Sequence, residues 1–157
     1  MSVCVIGVGN PYRGDDAVGL LIARQLAERD IQSTIVAEVG GDATELMDAM
    51  GKAPAVIIVD AMQSGTKPGT VHRFDAGTNA LPDSLFRSST HAISVGEAIE
   101  LCRALNRLPR HVIVYGIEGV RFEPGSHLSS EISGVLNETM ERVFNEIQTL
   151  QSKIREG

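Results

Sequence analysis

A glycine-rich stretch near the amino terminus reads Gly7-Val8-Gly9-Asn10-Pro11-Tyr12-Arg13-Gly14-Asp15-Asp16-Ala17-Val18-Gly19. It leaves an apolar run and enters a helical pattern carrying two adjacent carboxylates. A turn of this kind can hold a phosphate on bare helix N–H groups, but here a pyrophosphate would meet Asp15 and Asp16 and be repelled. The dinucleotide fingerprint G-x-G-x-x-G also fails at its third glycine, where Tyr12 stands. Only Glu38, at the end of the second apolar run, fits that reading as a ribose-binding acid. One of the two adjacent acids suits a helix start, as an N-cap or a first-turn acid favoured by the helix dipole. A cap does not need the second, which is left for a cation or a substrate.

Two further residues have matching chemistry. Asp60 closes the wholly apolar run Ala55-Val56-Ile57-Ile58-Val59, and His91 ends Ser88-Ser89-Thr90-His91 just before a helical pattern. Two carboxylates and one imidazole, Asp16, Asp60 and His91, form a donor set for a borderline divalent ion such as nickel, zinc or iron. Such a set leaves coordination positions open for substrate or water. His72 and His111 fall in strand patterns, as surface residues do, and His127 precedes the last helix. A covalent mechanism is disfavoured: there is no Gly-x-Ser-x-Gly elbow, and Cys4 and Cys102 sit in apolar patterns suited to packing.

These residues need elements to position them. β-branched runs at Val3–Val8, Thr34–Val39, 55–60 and 111–117 alternate with amphipathic segments, the pattern of a parallel sheet between helices. The run 55–60 lacks polar alternation and belongs in the middle of the sheet. Helices are expected from Val18 to about residue 27, at Ala43–Met50, over 93–105 and over 130–155. In the last, Ile132, Val135, Thr139, Val143, Ile147, Leu150 and Ile154 trace one stripe. Residues 69–74 follow Asp60 too closely for a helical crossover and suit an antiparallel edge strand. Residues 75–90 are polar and aperiodic, as in a long surface loop. The expectation is an α/β fold: a three-layer α/β/α sandwich around a mostly parallel twisted sheet of about five strands with one antiparallel edge. If the strand order runs 2-1-3, Asp16 and Asp60 share the crevice at the topological switch point.

Composition bounds the partners. A net charge of −6 over 157 residues argues against a nucleic-acid face, and the hydrophobic share of 43% suits an ordinary core. No linker or repeat divides the chain, so residues 1–157 are read as one domain. No run is long enough to span a bilayer, Met1-Ser2 offers no signal-peptide start, and two unpaired cysteines suit a reducing cytoplasm.

Taken together, the motifs resemble the maturation endopeptidases of nickel-iron hydrogenases. Gly7-x-Gly9-Asn10 with Asp15-Asp16-Ala17-Val18-Gly19 is similar to that family's opening signature. Val39-Gly40-Gly41 resembles its second glycine turn, Val59-Asp60-Ala61 with Pro68-Gly69-Thr70 its central strand and hairpin, and Thr90-His91 its pre-helical histidine. Two positions depart from the pattern. Asp16 stands where the family often has Glu, and Val39 where many members have Asp, with Glu38 and Asp42 as the nearby acids.

The resemblance implies an aspartic-type or metal-dependent endopeptidase that removes a C-terminal extension from a hydrogenase large-subunit precursor after nickel insertion. It implies that Asp16, Asp60 and His91 bind nickel, which arrives on the precursor rather than as a resident cofactor. Asp15 is then either a general base or a cap, and residues 75–90 are the natural partner-reading loop. Neither nucleic acid nor membrane is expected as a partner. Two other classes stay open: a metal-dependent docking factor without catalysis, and a Rossmann-type nucleotide-binding module.

Overall fold

The computed structural model describes residues 2–82 and 94–157. The chain runs β1 (Val3–Val8), a 3-10 turn (Gly14–Ala17), α1 (Val18–Glu28), β2 (Thr34–Val39), α2 (Ala43–Met50), β3 (Ala55–Met62) and β4 (Val71–Asp75). It continues through α3 (Val95–Ala104), β5 (His111–Glu118), α4 (Ser130–Ser133) and α5 (Leu136–Glu156). The sheet order is β2-β1-β3-β5-β4. Pairings β1–β2, β1–β3 and β3–β5 are parallel, and β4 joins β5 antiparallel at the edge. This is the expected mixed α/β sandwich, with the wholly buried β3 in the middle.

Side-chain alternation along the strands builds two cores. Val56, Ile58 and Met62 of β3 join α2 and α3 on one face, through Leu46, Met50 and Ile99. Ile57, Val59 and Ala61 join α1 and α5 on the other, through Ile22, Val143, Ile147 and Leu150. By that alternation Asp60 stands on the α2/α3 face, one residue past the register partner of Gly7.

α1 lies against the sheet backbone to backbone. A Cβ on Gly19 would stand 2.2 Å from the carbonyl oxygen of Val59 and 2.7 Å from that of Val8, and one on Gly7 would stand 2.3 Å from the carbonyl oxygen of Gly19. The helix that follows the acidic turn is thereby seated across the ends of β1 and β3.

α5 is tied to the sheet by a polar group. Glu146 Oε1 accepts from Tyr115 Oη at 2.6 Å and from Arg73 Nε at 2.6 Å, so β4, β5 and α5 meet at one carboxylate. Burial pushes Glu146 up, but the bonds from Arg73 and Tyr115 outweigh it and hold the carboxyl below its usual range. Burial and the same carboxylate push Tyr115 up to about 12.

The structure departs from the sequence expectation at two places. The single helix over 130–155 is two, because Gly134 caps α4 and Val135 has φ −112° and ψ 0°, off helical values. The helical stretch does start at residue 130, with Ser129 capping α4 through its Oγ. The loop 75–90 is not all surface: Asp75 ends β4, Ala76 and Leu81 are buried in the core, and Arg103 Nη2 holds the Ala76 carbonyl at 2.7 Å. Its remainder from residue 83, and His91 beyond it, lie outside the described residues.

The close seat of α1 generates a prediction. Gly19→Ala must move the helix off two strand carbonyls, at an overpacking cost of about 3 kcal/mol. Denaturant unfolding is expected to show a lowered midpoint with the slope kept; an unchanged midpoint would contradict the backbone contact.

Candidate functional site

The crevice lies at the carboxyl ends of β1 and β3, where the strand order changes direction. Gly9 turns the chain out of β1 with φ 156°, and a Cβ there would stand 1.9 Å from the Asp16 carbonyl oxygen. Only glycine allows the acidic turn to lie this close to the strand end. Asn10 N–H donates to Asp16 Oδ2 at 3.0 Å, and the Asn10 side chain accepts from Tyr12 N–H at 2.9 Å, which fixes the turn around the carboxylate. The 3-10 turn presents two buried carboxylates rather than the bare N–H groups a pyrophosphate needs.

Asp16 and Asp60 are each 8% exposed. Burial, and next the negative charge of Asp16, hold the Asp60 carboxyl well above the usual carboxylate range, with the Ala61 N–H opposing. Two carboxylates sharing a site of low dielectric disfavour double ionisation. The chemistry such a pair accepts is either a proton or a cation. Among the described residues no third His, Cys, Asp or Glu completes a metal-binding group with them. The third expected ligand, His91, lies outside those residues, so the structure brings together two members of the triad read from the sequence.

Asp15 is not the side-chain cap that one expectation made it. It is fully buried, and neither the 3-10 turn nor α1 uses it as a side-chain cap. Its Oδ2 accepts from Val120 N–H at 2.8 Å, Arg121 N–H at 2.9 Å and Ser129 Oγ at 2.8 Å, and its Oδ1 from Ser129 N–H at 2.8 Å. Asp15 N–H in turn donates to the Arg121 carbonyl at 2.7 Å. The carboxylate is a clasp that fastens the β5–α4 loop over the acidic turn. Both of its oxygens are engaged in holding that loop.

Glu118, a residue the sequence reading did not single out, is the counterpart on the other side. It is buried at the end of β5 and accepts from Ser64 N–H at 3.0 Å, Ser64 Oγ at 2.5 Å, Gly65 N–H at 3.4 Å and Thr66 Oγ1 at 2.9 Å. Burial pushes its carboxyl up, but the bonds from Ser64, Thr66 and Gly65 prevail and hold it below the usual range. It thereby anchors the loop leaving β3, starting four residues beyond Asp60. An acid ending an apolar run was the signal that picked out Asp60, and Ile117-Glu118 carries the same signal.

The other acids and thiols have structural roles. Glu38 pairs with Arg24 at 2.9 Å, and Asp42 caps α2 by accepting from Thr44 N–H at 2.8 Å. Cys4 and Cys102 are buried and free, with burial pushing the Cys4 thiol up to about 11.

The Asp60 environment generates a prediction with a definite sign. Its folded pKa is raised, so between the ordinary value and the raised one the folded chain keeps a proton that the unfolded chain has released. That stabilisation is complete below the unfolded value and is lost as pH rises through the folded one. Asp60→Asn removes the titration. Its melting temperature is expected to exceed wild type by about 3 °C at pH 8, the shift that about 1 kcal/mol gives in a domain of this size, and the excess should shrink as pH falls. A variant less stable than wild type at pH 8 would contradict the buried pair.

Comparison with known proteins places this geometry. The family model described as hydrogenase maturation protease matches residues 18–146. The hydrogenase 2 maturation protease of Escherichia coli is 26% identical over 148 residues, which cover 92% of this chain and 89% of that protein. The hydrogenase expression/formation protein HupD of Thiocapsa roseopersicina is 25% identical over 126 residues, and the chain spans 56% of its length. Among solved structures, the NiFe hydrogenase maturation protease HybD of Thermococcus kodakarensis is 28% identical with a TM-score of 0.75, covering 94% of this chain and 99% of that one. The hydrogenase maturating endopeptidase HybD of E. coli shares the fold at a TM-score of 0.77 and 22% identity, covering 95% and 93%. With the family model matching well over half of its residues, this chain belongs to the hydrogenase maturation protease family, a family of peptidases.

Proposed function

We propose that this chain is the endopeptidase that removes the C-terminal extension of a nickel-iron hydrogenase large-subunit precursor once nickel has been inserted. The observation that carries the reading is the buried Asp16–Asp60 pair, in which burial first and the charge of Asp16 second raise the Asp60 pKa, an environment that a cation would relieve. Two carboxylates, with His91 as the third donor, match a borderline divalent ion. Nickel here is cargo of the precursor, and the site reads its presence. Nickel carried by the precursor, held by Asp16, Asp60 and His91, would supply Lewis-acid polarisation of the scissile carbonyl.

The chain's own groups do the rest. Asp60 releases its proton when the positive charge arrives, and with Asp16 it holds the loaded segment of the precursor at the sheet edge. Asp15 and Glu118 keep the flanking loops fixed, so the carboxylates do not spread apart. A water oxygen adds to the polarised carbonyl carbon, the C–N bond breaks, and the amine of the extension leaves with the proton that water gives up. This makes the enzyme metal-dependent through its substrate. A pepsin-like pair would instead share one proton and need no cation.

No helix among the described residues is long and apolar enough to cross a membrane. The buried free thiols of Cys4 and Cys102 suit action in a reducing cytoplasm.

The test is incubation with nickel-loaded and nickel-free precursor from the same source, read by mass spectrometry for loss of the C-terminal peptide. Cleavage is expected only of the loaded form. Asp16→Ala, Asp60→Ala and His91→Ala are each expected to fold and to lower cleavage at least a thousandfold. Processing at the wild-type rate by all three variants would remove the reading. Binding of loaded precursor without cleavage by the wild type would instead support a docking factor.

A further inference from the structure

The Asp15 clasp displays two exposed apolar side chains on the chains it joins. Tyr12 is 77% exposed and Val120 is 52% exposed, and among the described residues the only other exposed large hydrophobics are Leu101 and Leu105, at α3. Tyr12 sits in the turn before the acidic residues, where its carbonyl accepts from Gly125 N–H at 2.7 Å. Val120 and Arg121 are held from the other side through their own N–H groups by Asp15 Oδ2. The Arg121 side chain is exposed, and its guanidinium donates to the His127 carbonyl at 3.5 Å.

A tyrosine and a valine this exposed on a fixed backbone leave apolar surface in water that a partner would cover. Tyr and Arg are the side chains that most often anchor interfaces, and a preordered loop spares a partner the entropy of ordering it. The chain carries a net charge of −6, so the arginine on this rim stands out against an acidic background.

We infer that Tyr12, Val120 and Arg121 form a docking rim beside the Asp16 crevice for an apolar, acidic surface segment of the large-subunit precursor. This rests on the function proposed above and names how the partner is gripped. The apolar pair covers a hydrophobic side chain of the partner, and Arg121 meets a carboxylate next to it. The clasp sets the distance from this grip to Asp16, so docking at the rim aligns the segment entering the crevice.

The experiment compares wild type, Tyr12→Ala, Val120→Ser, Arg121→Glu and, as a control on a distant exposed apolar residue, Leu105→Ala. Each is measured for cleavage of nickel-loaded precursor over a range of precursor concentrations. Each is also measured for precursor affinity in an Asp60→Ala background, for melting temperature, and for sedimentation alone. The three rim variants are expected to raise KM and Kd about tenfold with kcat and melting temperature kept. The loss in Arg121→Glu should diminish as salt rises, and Leu105→Ala should match wild type. Rim variants that bind and cleave like wild type overturn the rim and leave the proposed function standing. A wild-type dimer that the rim variants dissociate overturns it as well, by giving the surface to a second copy. Wild type that neither binds nor cleaves the loaded precursor removes the proposed function, and the rim's named partner with it.

Discussion

Two carboxylates are held together at the carboxyl edge of this sheet with little water to screen them. Asp16 and Asp60 are each 8% exposed, and burial first, then the charge of Asp16, raises the pKa of Asp60. A fold does not gain stability from such a pair. It has to impose it, and much of the surrounding structure does that work. Gly9 and Gly19 let the acidic turn and α1 lie against strand backbone, which brings Asp16 to the end of β1 beside β3. The strand order then puts Asp60 within its reach.

The walls of the crevice are fastened by two other acids, each satisfied by donors. Asp15 takes four hydrogen bonds from residues 120, 121 and 129, and Glu118 takes its bonds from residues 64 to 66. Residues 118–121 therefore join both fastenings: Glu118 grips the loop after β3, while Val120 and Arg121 are gripped by the turn after β1. Gly119 between them donates its N–H to the Met62 carbonyl at 3.0 Å, closing the junction against the end of β3. Four neighbouring acids thus divide by environment. Asp15 and Glu118 are filled by hydrogen-bond donors, whereas Asp16 lies close enough to Asp60 for its charge to add to the burial that raises the Asp60 pKa.

Much of this was legible in the chain. Apolar runs and their spacing located β1, β2 and α2 at their observed bounds, because buried strands and amphipathic helices leave periodic signals. The central position of β3 followed from its lack of polar alternation. The meeting of Asp16 with Asp60 followed from topology, since both lie on loops at the switch point of a 2-1-3 order. What was not legible depended on contacts distant in sequence. The roles of Asp15 and Glu118 come from partners 105 to 114 and 52 to 54 residues away, and no local pattern reports such pairs. The break at Gly134 was hidden because the apolar stripe continues across it, with Ile132 and Thr139 both buried in register. His91 was read from its place before a helix, and it lies outside the described residues.

The central claim is electrostatic, so the most direct test is to watch Asp60 itself titrate. Carbon-13 NMR of the side-chain carboxyls in the metal-free protein, assigned with Asp60→Asn, gives its pKa without any assay of activity. The account predicts a titration well above the ordinary value near 4, moving down in Asp16→Asn as the neighbouring charge is removed. An Asp60 that titrates in the ordinary range, or that does not respond to Asp16→Asn, would contradict the account.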